Sequence, residues 1–394
     1  MNRQLWLLAF CQGMFLTNNV TLVAINGLVG LAIAPLGWMA TLPVMAYVLG
    51  SAFSAPLVAR LQAHHGRKRS FQVGLVVAML AAAACAIAVH HGQFWILVGS
   101  TFVAGFYAAN ASLYRFAGPE LVNAPFREKA ISLVLAGGIL GAFLGPNLAS
   151  ATRGLTTVTF VGSYLALIGA GALSLAALSL IRFPDHQAPA PGAARGRPLV
   201  EIARQPRFIV AVTAAALGYG VMNLLMAATP IAMQQCKHPF ESAALVLEWH
   251  VLGMFVPSFF TGHLIKRFDP LPVMIVGALL NLACVAVALS GVDLMQFLVA
   301  LFLLGVGWNF LYTGGSTLLT TTYRPEEKNK VQGAMDTCVF ATMALTSFAS
   351  GALVTTQGWQ LLNLGSLVPI ALVSLALAWM ALADRRAARA AVTG

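Results

Sequence analysis

Charged side chains are scarce in this chain of 394 residues: Asp, Glu, Lys and Arg make up 9% of it, whereas 59% is hydrophobic. A soluble domain of this length could not cover its surface with so few charges. Apolar stretches of about 20 residues, long enough to cross a bilayer as helices, recur along the whole chain. They are continuous rather than alternating, which argues against a β-barrel. The composition therefore predicts an all-α protein embedded in the lipid bilayer.

Cysteine is also sparse, and its spacing argues against two kinds of site. The cysteines lie apart from one another, without any CxxC pair, so neither a disulfide framework nor a thiolate zinc site is indicated. No nucleophile with a positioned base emerges either, so the sequence does not predict an enzyme or a permanently bound cofactor. The five cysteines are Cys11, Cys85, Cys236, Cys284 and Cys338.

Basic residues exceed acidic ones, and their placement explains the formal net charge of +11. In a soluble protein this excess would suggest a nucleic-acid partner, but here it follows the positive-inside rule. Among the 23 Lys and Arg, only Arg153 and Lys237 fall in loops on the side opposite the rest. The asymmetry predicts a multi-pass topology with both termini in the cytoplasm, and no nucleic-acid partner.

The apolar stretches predict twelve transmembrane helices in two six-helix halves. The longest polar interruption, residues 183–206, divides an N-terminal half at 1–182 from a C-terminal half at 207–394. Each half has a basic loop after its second span, at 59–70 and 262–270. The predicted spans are 4–27, 36–58, 70–90, 94–116, 129–150, 157–181, 207–233, 242–265, 270–290, 294–320, 331–354 and 360–382.

This plan, the central linker and the GRKR sequence at 66–69 resemble the major facilitator superfamily. The resemblance covers essentially the whole chain and implies alternating access about a site between the halves. One departure concerns the loop that usually carries a gating charge relay. Here Ala63 and His64 stand where that family usually has Asp and Arg, which puts the relay in doubt.

Ionisable residues at membrane depth are costly and therefore functional candidates. Glu248, His250 and Asp336 lie well within predicted spans, whereas no Lys or Arg does. This favours a cationic or neutral cargo over an organic anion. Asp336 is either a proton relay or a hydrogen-bonded structural carboxylate, and Glu248 is a second candidate for proton coupling. Glu248 and His250 cannot face the same point, because residues two apart on a helix differ by about 200°.

Two four-residue spacings in the seventh and eighth spans are typical of metal ligands on one helical face. MNLLM places Met222 and Met226 one turn apart, and HVLGM does the same for His250 and Met254. Either spacing also arises by chance, and methionine is ordinary core filler. The loop between the spans centres near residue 238, so His250 is predicted level with Met226 and Met254 level with Met222.

The donor chemistry of this set favours one ion. Thioethers are soft, neutral ligands, and with an imidazole they favour Cu(I) over Zn²⁺, Mg²⁺ or Ca²⁺. Cys236 and His238, at the mouth of the hairpin, either receive the metal first or are ordinary loop residues. Copper enters this interpretation as transported cargo, and its release is aided by neutral ligands that bind less tightly than thiolates.

MNLLM and HVLGM resemble the motifs of the CcoA-like copper importers, a branch of the same superfamily found in the bacterial inner membrane, which the resemblance implies for this chain as well. The resemblance implies copper-ligand roles for Met222, Met226, His250 and Met254, and copper import for assembly of cytochrome oxidase. It also makes copper chaperones on the periplasmic or cytoplasmic side candidate partners. Relatives without the motifs carry other solutes such as flavins.

Two alternatives to copper import stay open. The first is a carrier for a small organic solute, flavin-like or a drug, that does not use the methionine and histidine motifs. Its cavity walls would be Trp308 and Asn309, with Tyr107 and Tyr312. The second is a scaffold or receptor without transport, which the short loops and the lack of a soluble domain argue against.

Overall fold

The computed structural model describes residues 3–36, 39, 42–184 and 196–393, and within them the chain is helical with no β-strand. The fifteen α-helices are α1 Arg3–Ile33, α2 Leu42–His90, α3 Phe94–Ala111, α4 Tyr114–Ala117, α5 Arg127–Ala136, α6 Gly138–Thr152, α7 Val161–Ser179, α8 Leu199–Ala203, α9 Pro206–Gln235, α10 Phe240–Phe255, α11 Ser258–Phe268, α12 Pro270–Ser290, α13 Leu294–Leu319, α14 Lys328–Thr356 and α15 Gly358–Thr393.

Ten helical stretches among the described residues are long and apolar enough to cross a membrane. One of them, Leu42–His90, covers most of the second predicted span and all of the third. Helix α14 covers the eleventh predicted span but is not among the ten. Twelve spans are therefore consistent with the structure, and all-helical membrane architecture is clear.

The predicted loop at 59–70 is helical on both sides of a single break, which corrects the sequence prediction there. Gly66 has φ 77° and ψ 173°, a backbone conformation that glycine adopts without steric cost. The eighth predicted span is likewise two helices, α10 and α11, which meet at Pro257. Proline lacks the amide hydrogen that would continue the helical hydrogen bonds.

The described helices form two compact units, Met1–Ala194 with Gln332–Ala344 and Arg195–Val331 with Leu345–Gly394. Residues 332–344 of α14 thus belong with the first unit. The halves predicted from sequence, 1–182 and 207–394, stay a prediction. The division near residue 194 falls inside the linker predicted at 183–206, part of which lies outside the described residues.

In the first unit, Arg67 of the GRKR sequence is held by an acid that the sequence analysis did not assign. Its Nη2 lies 3.0 Å from Oε1 of Glu120 and 2.8 Å from Oε1 of Gln332, and its Nη1 donates to Gln62. Glu120 follows the fourth predicted span rather than the second. The basic loop therefore has a carboxylate partner despite Ala63 and His64.

In the second unit, the end of the central linker is fixed to the turn between α13 and α14. The backbone N–H and the guanidinium of Arg197 donate to the Glu327 carboxylate at 2.7 to 3.0 Å. Lys330 in turn donates to the carbonyl of Arg197, and the backbone N–H of Arg324 donates to Glu327 at 2.9 Å. The hydrogen bonds from Arg197 lower the pKa of Glu327 to about 2.

Helix α13 is the centre of the second unit, because α9, α10 and α12 each pack directly against it. Glycines permit the closest approaches. A Cβ on Gly305 would lie 2.4 Å from the carbonyl oxygen of His250, and one on Gly277 would lie 2.9 Å from the carbonyl oxygen of Gly307. Since no side chain fits in either gap, the backbones of α10 and α12 lie against α13.

Candidate functional site

Helix α9 carries the two predicted methionine ligands along the antiparallel helix α13. A Cβ added at Gly218 would lie 3.0 Å from the side chain of Leu311, which fixes the register between the two helices. Met222 and Met226 lie one and two turns further along α9. They are therefore level with the positions about one and two turns before Leu311 in α13.

Helix α10 carries the other predicted pair and also packs against α13. The side-chain amide of Asn309 donates to the carbonyl of Met254 at 2.7 Å. The carbonyl of His250 faces Gly305, as described above. The structure thus places Met254 near the depth of Met222, and His250 near the depth of Met226. The contacts described for His250 and Met254 are with α13. The depths predicted from sequence were based on α9 and α10 alone.

Two neighbours of the methionines show which way their face of α9 turns. Asn223 donates to Thr346 and Ser347 of α14, at 3.1 and 2.9 Å. Tyr219, which lies on the same face of α9 as Met222 by helical spacing, contacts the ring of Trp308 at 5.3 Å between centroids. The face of α9 that carries Met222 and Met226 therefore lies next to the α9–α14 contact and is directed toward Trp308 of α13. Met222 is buried, and Met226 is partly exposed.

His250 is fully buried and makes one hydrogen bond through its ring. Its Nδ1 lies 2.7 Å from the carbonyl oxygen of Leu301. A carbonyl can only accept, so Nδ1 carries the proton and Nε2 presents a lone pair in the neutral ring. That Nε2 is buried without a hydrogen-bond partner among the described residues. An imidazole held by Nδ1–H and open at Nε2 is the usual state of a metal-binding histidine.

Asn309, predicted as a cavity wall, has its amide occupied by neighbouring helices. Besides the Met254 carbonyl, its Nδ2 donates to Ser258 Oγ at 2.5 Å, and its Oδ1 accepts from Thr261 Oγ1 at 2.7 Å. In this arrangement Asn309 ties α10 and α11 to α13. Its effect on the site is to hold the backbone of Met254 in place.

Trp308, the second predicted wall, is the centre of an aromatic cluster. It stacks on Tyr312 with centroids 5.0 Å apart and rings inclined by 17°. Tyr219 of α9 and Phe255 of α10 meet it edge-on, at 5.3 and 5.8 Å. Its Nε1 is buried and has no hydrogen-bond partner among the described residues. The sequence analysis missed Tyr219 and Phe255, whose only sequence signal is that they lie near Met222 and Met254.

Cys236 and His238, predicted as secondary ligands, lie at the start of the α9–α10 connection. His238 Nε2 lies 2.7 Å from the carbonyl oxygen of Val292, and its ring contacts Phe297 at 5.8 Å. Cys236 is a partly exposed free thiol. Their role toward a metal stays a prediction.

Asp336 belongs to the first unit and has two strong partners there. Its Oδ1 lies 2.5 Å from Arg115 Nη2, and its Oδ2 accepts from Ser112 Oγ at 2.6 Å. The side chains of Arg115 and Asp336 are 1% and 2% exposed. These partners fit a hydrogen-bonded structural carboxylate, and the proton-relay role considered from sequence stays a prediction.

The buried Arg115 corrects the sequence prediction that no basic residue lies deep in a span. The fourth predicted span ends at residue 116, which placed this arginine at a loop. In the structure the candidate span continues to Leu121 and carries Arg115 into the interior. The carboxylate of Asp336 makes that burial tolerable, because an unpaired charge would not be.

Glu248, the other candidate for proton coupling, is exposed on α10. Groups of three or more His, Cys, Asp or Glu side chains able to hold a metal do not occur among the residues that the structure describes. Methionine is not one of these four residue types, so this absence does not concern the thioethers of Met222, Met226 and Met254.

Comparison with known proteins identifies the family of this chain and one similar protein with a named substrate. The model of the Major Facilitator Superfamily matches residues 5–249 and 214–394. The chain is 36% identical over 364 residues to the riboflavin transporter RfnT of Brucella anthropi, a match that covers 92% of this chain and 91% of that protein.

Two solved structures share the fold. The Escherichia coli fucose:proton symporter FucP has a TM-score of 0.74 at 16% identity, covering 96% of this chain and 99% of FucP. A bacterial homologue of the iron transporter ferroportin, in an outward-facing state, has a TM-score of 0.73 at 14% identity, covering 95% of this chain and 98% of that one. At these identities the likeness concerns the fold alone.

Proposed function

The chain belongs to the Major Facilitator Superfamily, and from that premise we propose that it is a transporter of Cu(I) that works by alternating access. Met222, Met226, His250 and Met254 are the proposed ligands. Import across a bacterial inner membrane, with both termini in the cytoplasm, and supply of copper for cytochrome oxidase assembly are part of the same proposal.

The observation that carries the proposal is the state of His250. The Leu301 carbonyl fixes its neutral tautomer and leaves the buried Nε2 lone pair without a partner. Leaving a buried acceptor unsatisfied costs about 1–3 kcal/mol. A transported metal ion that binds Nε2 would offset this cost during part of the transport cycle.

The methionines proposed as ligands together with His250 select the kind of ion. Met254 lies one turn along α10, and Met222 and Met226 lie at matching depths on α9. Thioethers bind soft cations without losing a proton, so the set suits Cu(I) better than Zn²⁺ or Mg²⁺. No step in this scheme requires Asp336, which is paired with Arg115.

A flavin-like solute is the second candidate cargo, and the comparisons favour it over copper. The 36% identical relative is a riboflavin transporter. The aromatic cluster of Trp308, Tyr219 and Tyr312 would bind a planar ring by stacking, and the unpartnered Nε1–H of Trp308 would donate to a ring carbonyl. This cargo would not need the thioethers of Met222 or Met254.

Paired uptake measurements in proteoliposomes separate the two cargoes. We expect the unmodified protein to accumulate Cu(I), and His250→Ala and Met254→Leu to abolish accumulation while folding normally. Met274→Leu is the matched control, because Met274 is a buried methionine of α12 that packs on Gly314. Normal copper accumulation in both ligand variants would overturn the copper proposal. Riboflavin uptake that is lost in Trp308→Ala but kept in His250→Ala would establish the second candidate.

A further inference from the structure

Trp308 connects the two helices that carry the proposed ligands. Its indole contacts Tyr219, three residues before Met222 in α9, and Phe255, the residue after Met254 in α10. One face of the indole is covered by Tyr312, which stacks on it. Tyr219 is also 5.3 Å from Tyr312, so it meets the side of this stacked pair, and Phe255 meets Trp308 edge-on from α10. The indole face opposite Tyr312 is therefore not covered by Tyr219.

Packing alone does not account for an indole at this position. Its Nε1–H is buried and unpartnered, a state that costs free energy which a phenyl ring of similar shape would avoid. What an indole offers beyond a phenyl ring is a more negative π face. Among aromatic side chains, tryptophan attracts a cation most strongly.

The proposed ligand set also lacks negative charge. Imidazole and thioethers are neutral, and among the candidate acids Glu248 is exposed while Asp336 is committed to Arg115. A monovalent cation at this depth would therefore keep its full charge in a medium of low polarity. A π face would stabilise that charge without a proton or a counterion.

We infer that Trp308 is a direct cation–π contact for Cu(I), completing the ligand set of Met222, Met226, His250 and Met254. The inference rests on the proposed copper function. The indole face opposite Tyr312 lies against the bound ion, while thioether sulfur and His250 Nε2 form the coordinate bonds. Because this contact is weaker than a bond to a carboxylate, it adds selectivity for a soft monovalent ion without preventing its release.

The test is anaerobic titration of the purified full-length protein in nanodiscs with Cu(I), buffered by a chromogenic chelator. Affinity and indole fluorescence are recorded together. We expect Cu(I) to perturb indole fluorescence in the unmodified protein, and Trp308→Phe to lose that signal and bind about 5- to 30-fold more weakly. Trp308→Tyr, which keeps an aromatic ring of intermediate size, should fall between the two and serves as the second variant.

The control and the contrary results are distinct. Trp379→Phe removes an exposed indole from α15 and should leave both readouts unchanged. Unmodified affinity and an unmodified fluorescence response in folded Trp308→Phe or Trp308→Tyr would overturn the cation–π inference while leaving the copper function intact. Absence of Cu(I) binding by the unmodified protein, or unchanged binding in His250→Ala, would overturn the copper function itself.

Discussion

The carbonyl oxygen of His250 lies so near Gly305 that a Cβ on Gly305 would be 2.4 Å away from it. This contact sets the distance between α10 and α13 at the depth of the proposed copper ligands. The hydrogen bond from His250 to Leu301, one turn earlier in α13, depends on the same close approach. Helix α13 therefore orients the imidazole, although the predicted ligands lie on α9 and α10.

Gly305→Ala tests this relationship. The added methyl group must push α10 away from α13, so we expect a loss of about 1–3 kcal/mol in unfolding free energy from overpacking, and weaker Cu(I) binding. Thermal unfolding in detergent and a Cu(I) titration measure the two effects. Gly365→Ala on α15 is the control, since nothing lies within 4 Å of its added Cβ. Equal behaviour of the two variants would contradict the role given to Gly305.

Asp336→Asn tests the structural role of the ion pair with Arg115. The variant leaves the arginine charge buried and uncompensated, so we expect a loss of about 3–5 kcal/mol in stability. Thermal unfolding measures it. The double variant Arg115→Gln with Asp336→Asn should recover much of the loss. No destabilisation in the single variant would show that the pair is not what stabilises this region.

Glu248→Gln tests whether the exposed acid on α10 participates in proton coupling. Because its side chain is exposed and lies about 200° around the helix from His250, we expect an unchanged rate of copper uptake at each pH. Uptake in proteoliposomes between pH 6 and pH 8, roughly the range in which histidine titrates, provides the measurement. A shifted or flattened pH profile would return Glu248 to the list of coupling residues.

Glu327→Gln tests the attachment of the linker. Arg197 loses its charged partner, so we expect clostripain, which unlike trypsin accepts the Arg197–Pro198 bond, to cleave after Arg197 roughly tenfold faster, as loss of a charge-assisted hydrogen bond implies. Mass spectrometry of the fragments over time gives the rate. Glu326→Gln, which changes an exposed neighbour, should cleave at the unmodified rate. Equal rates in both variants would exclude Glu327 as the anchor.

The pH dependence of this attachment follows from the lowered pKa of Glu327, about 2 against an ordinary 4.5. A depressed carboxyl pKa stabilises the folded state above pH 4.5, and the contribution is lost as the pH falls toward 2. Protection of Arg197 from clostripain should therefore be the same at pH 6 and pH 8. A marked loss of protection at pH 6 would mean that another group controls the linker.

Hydropathy predicted most of the fold, because spanning helices must be apolar over a nearly fixed length. The spans at 270–290 and 294–320 match α12 and α13 almost to the residue. The sequence predicts a loop around Gly66, whereas the structure has helix on both sides of a break at that residue. A polar stretch near the membrane surface has the same composition whether it is coiled or helical. Arg115 was misplaced for a similar reason, because its partner Asp336 is more than 200 residues away along the chain.

Helical spacing predicted the depths of the candidate ligands but not what orients them. The four-residue intervals place Met222 with Met226 and His250 with Met254 on common faces. The tautomer of His250 depends on the backbone carbonyl of Leu301, which has no residue-specific signal in the sequence. The aromatic contacts of Trp308 likewise depend on helix rotation, which a sequence does not fix.

The most direct test of the copper proposal is X-ray absorption at the copper edge on the Cu(I)-loaded protein. The proposal predicts sulfur scatterers from thioethers together with one imidazole nitrogen, and loss of that nitrogen in His250→Ala. A spectrum dominated by oxygen or nitrogen ligands, or one that His250→Ala leaves unchanged, would contradict it.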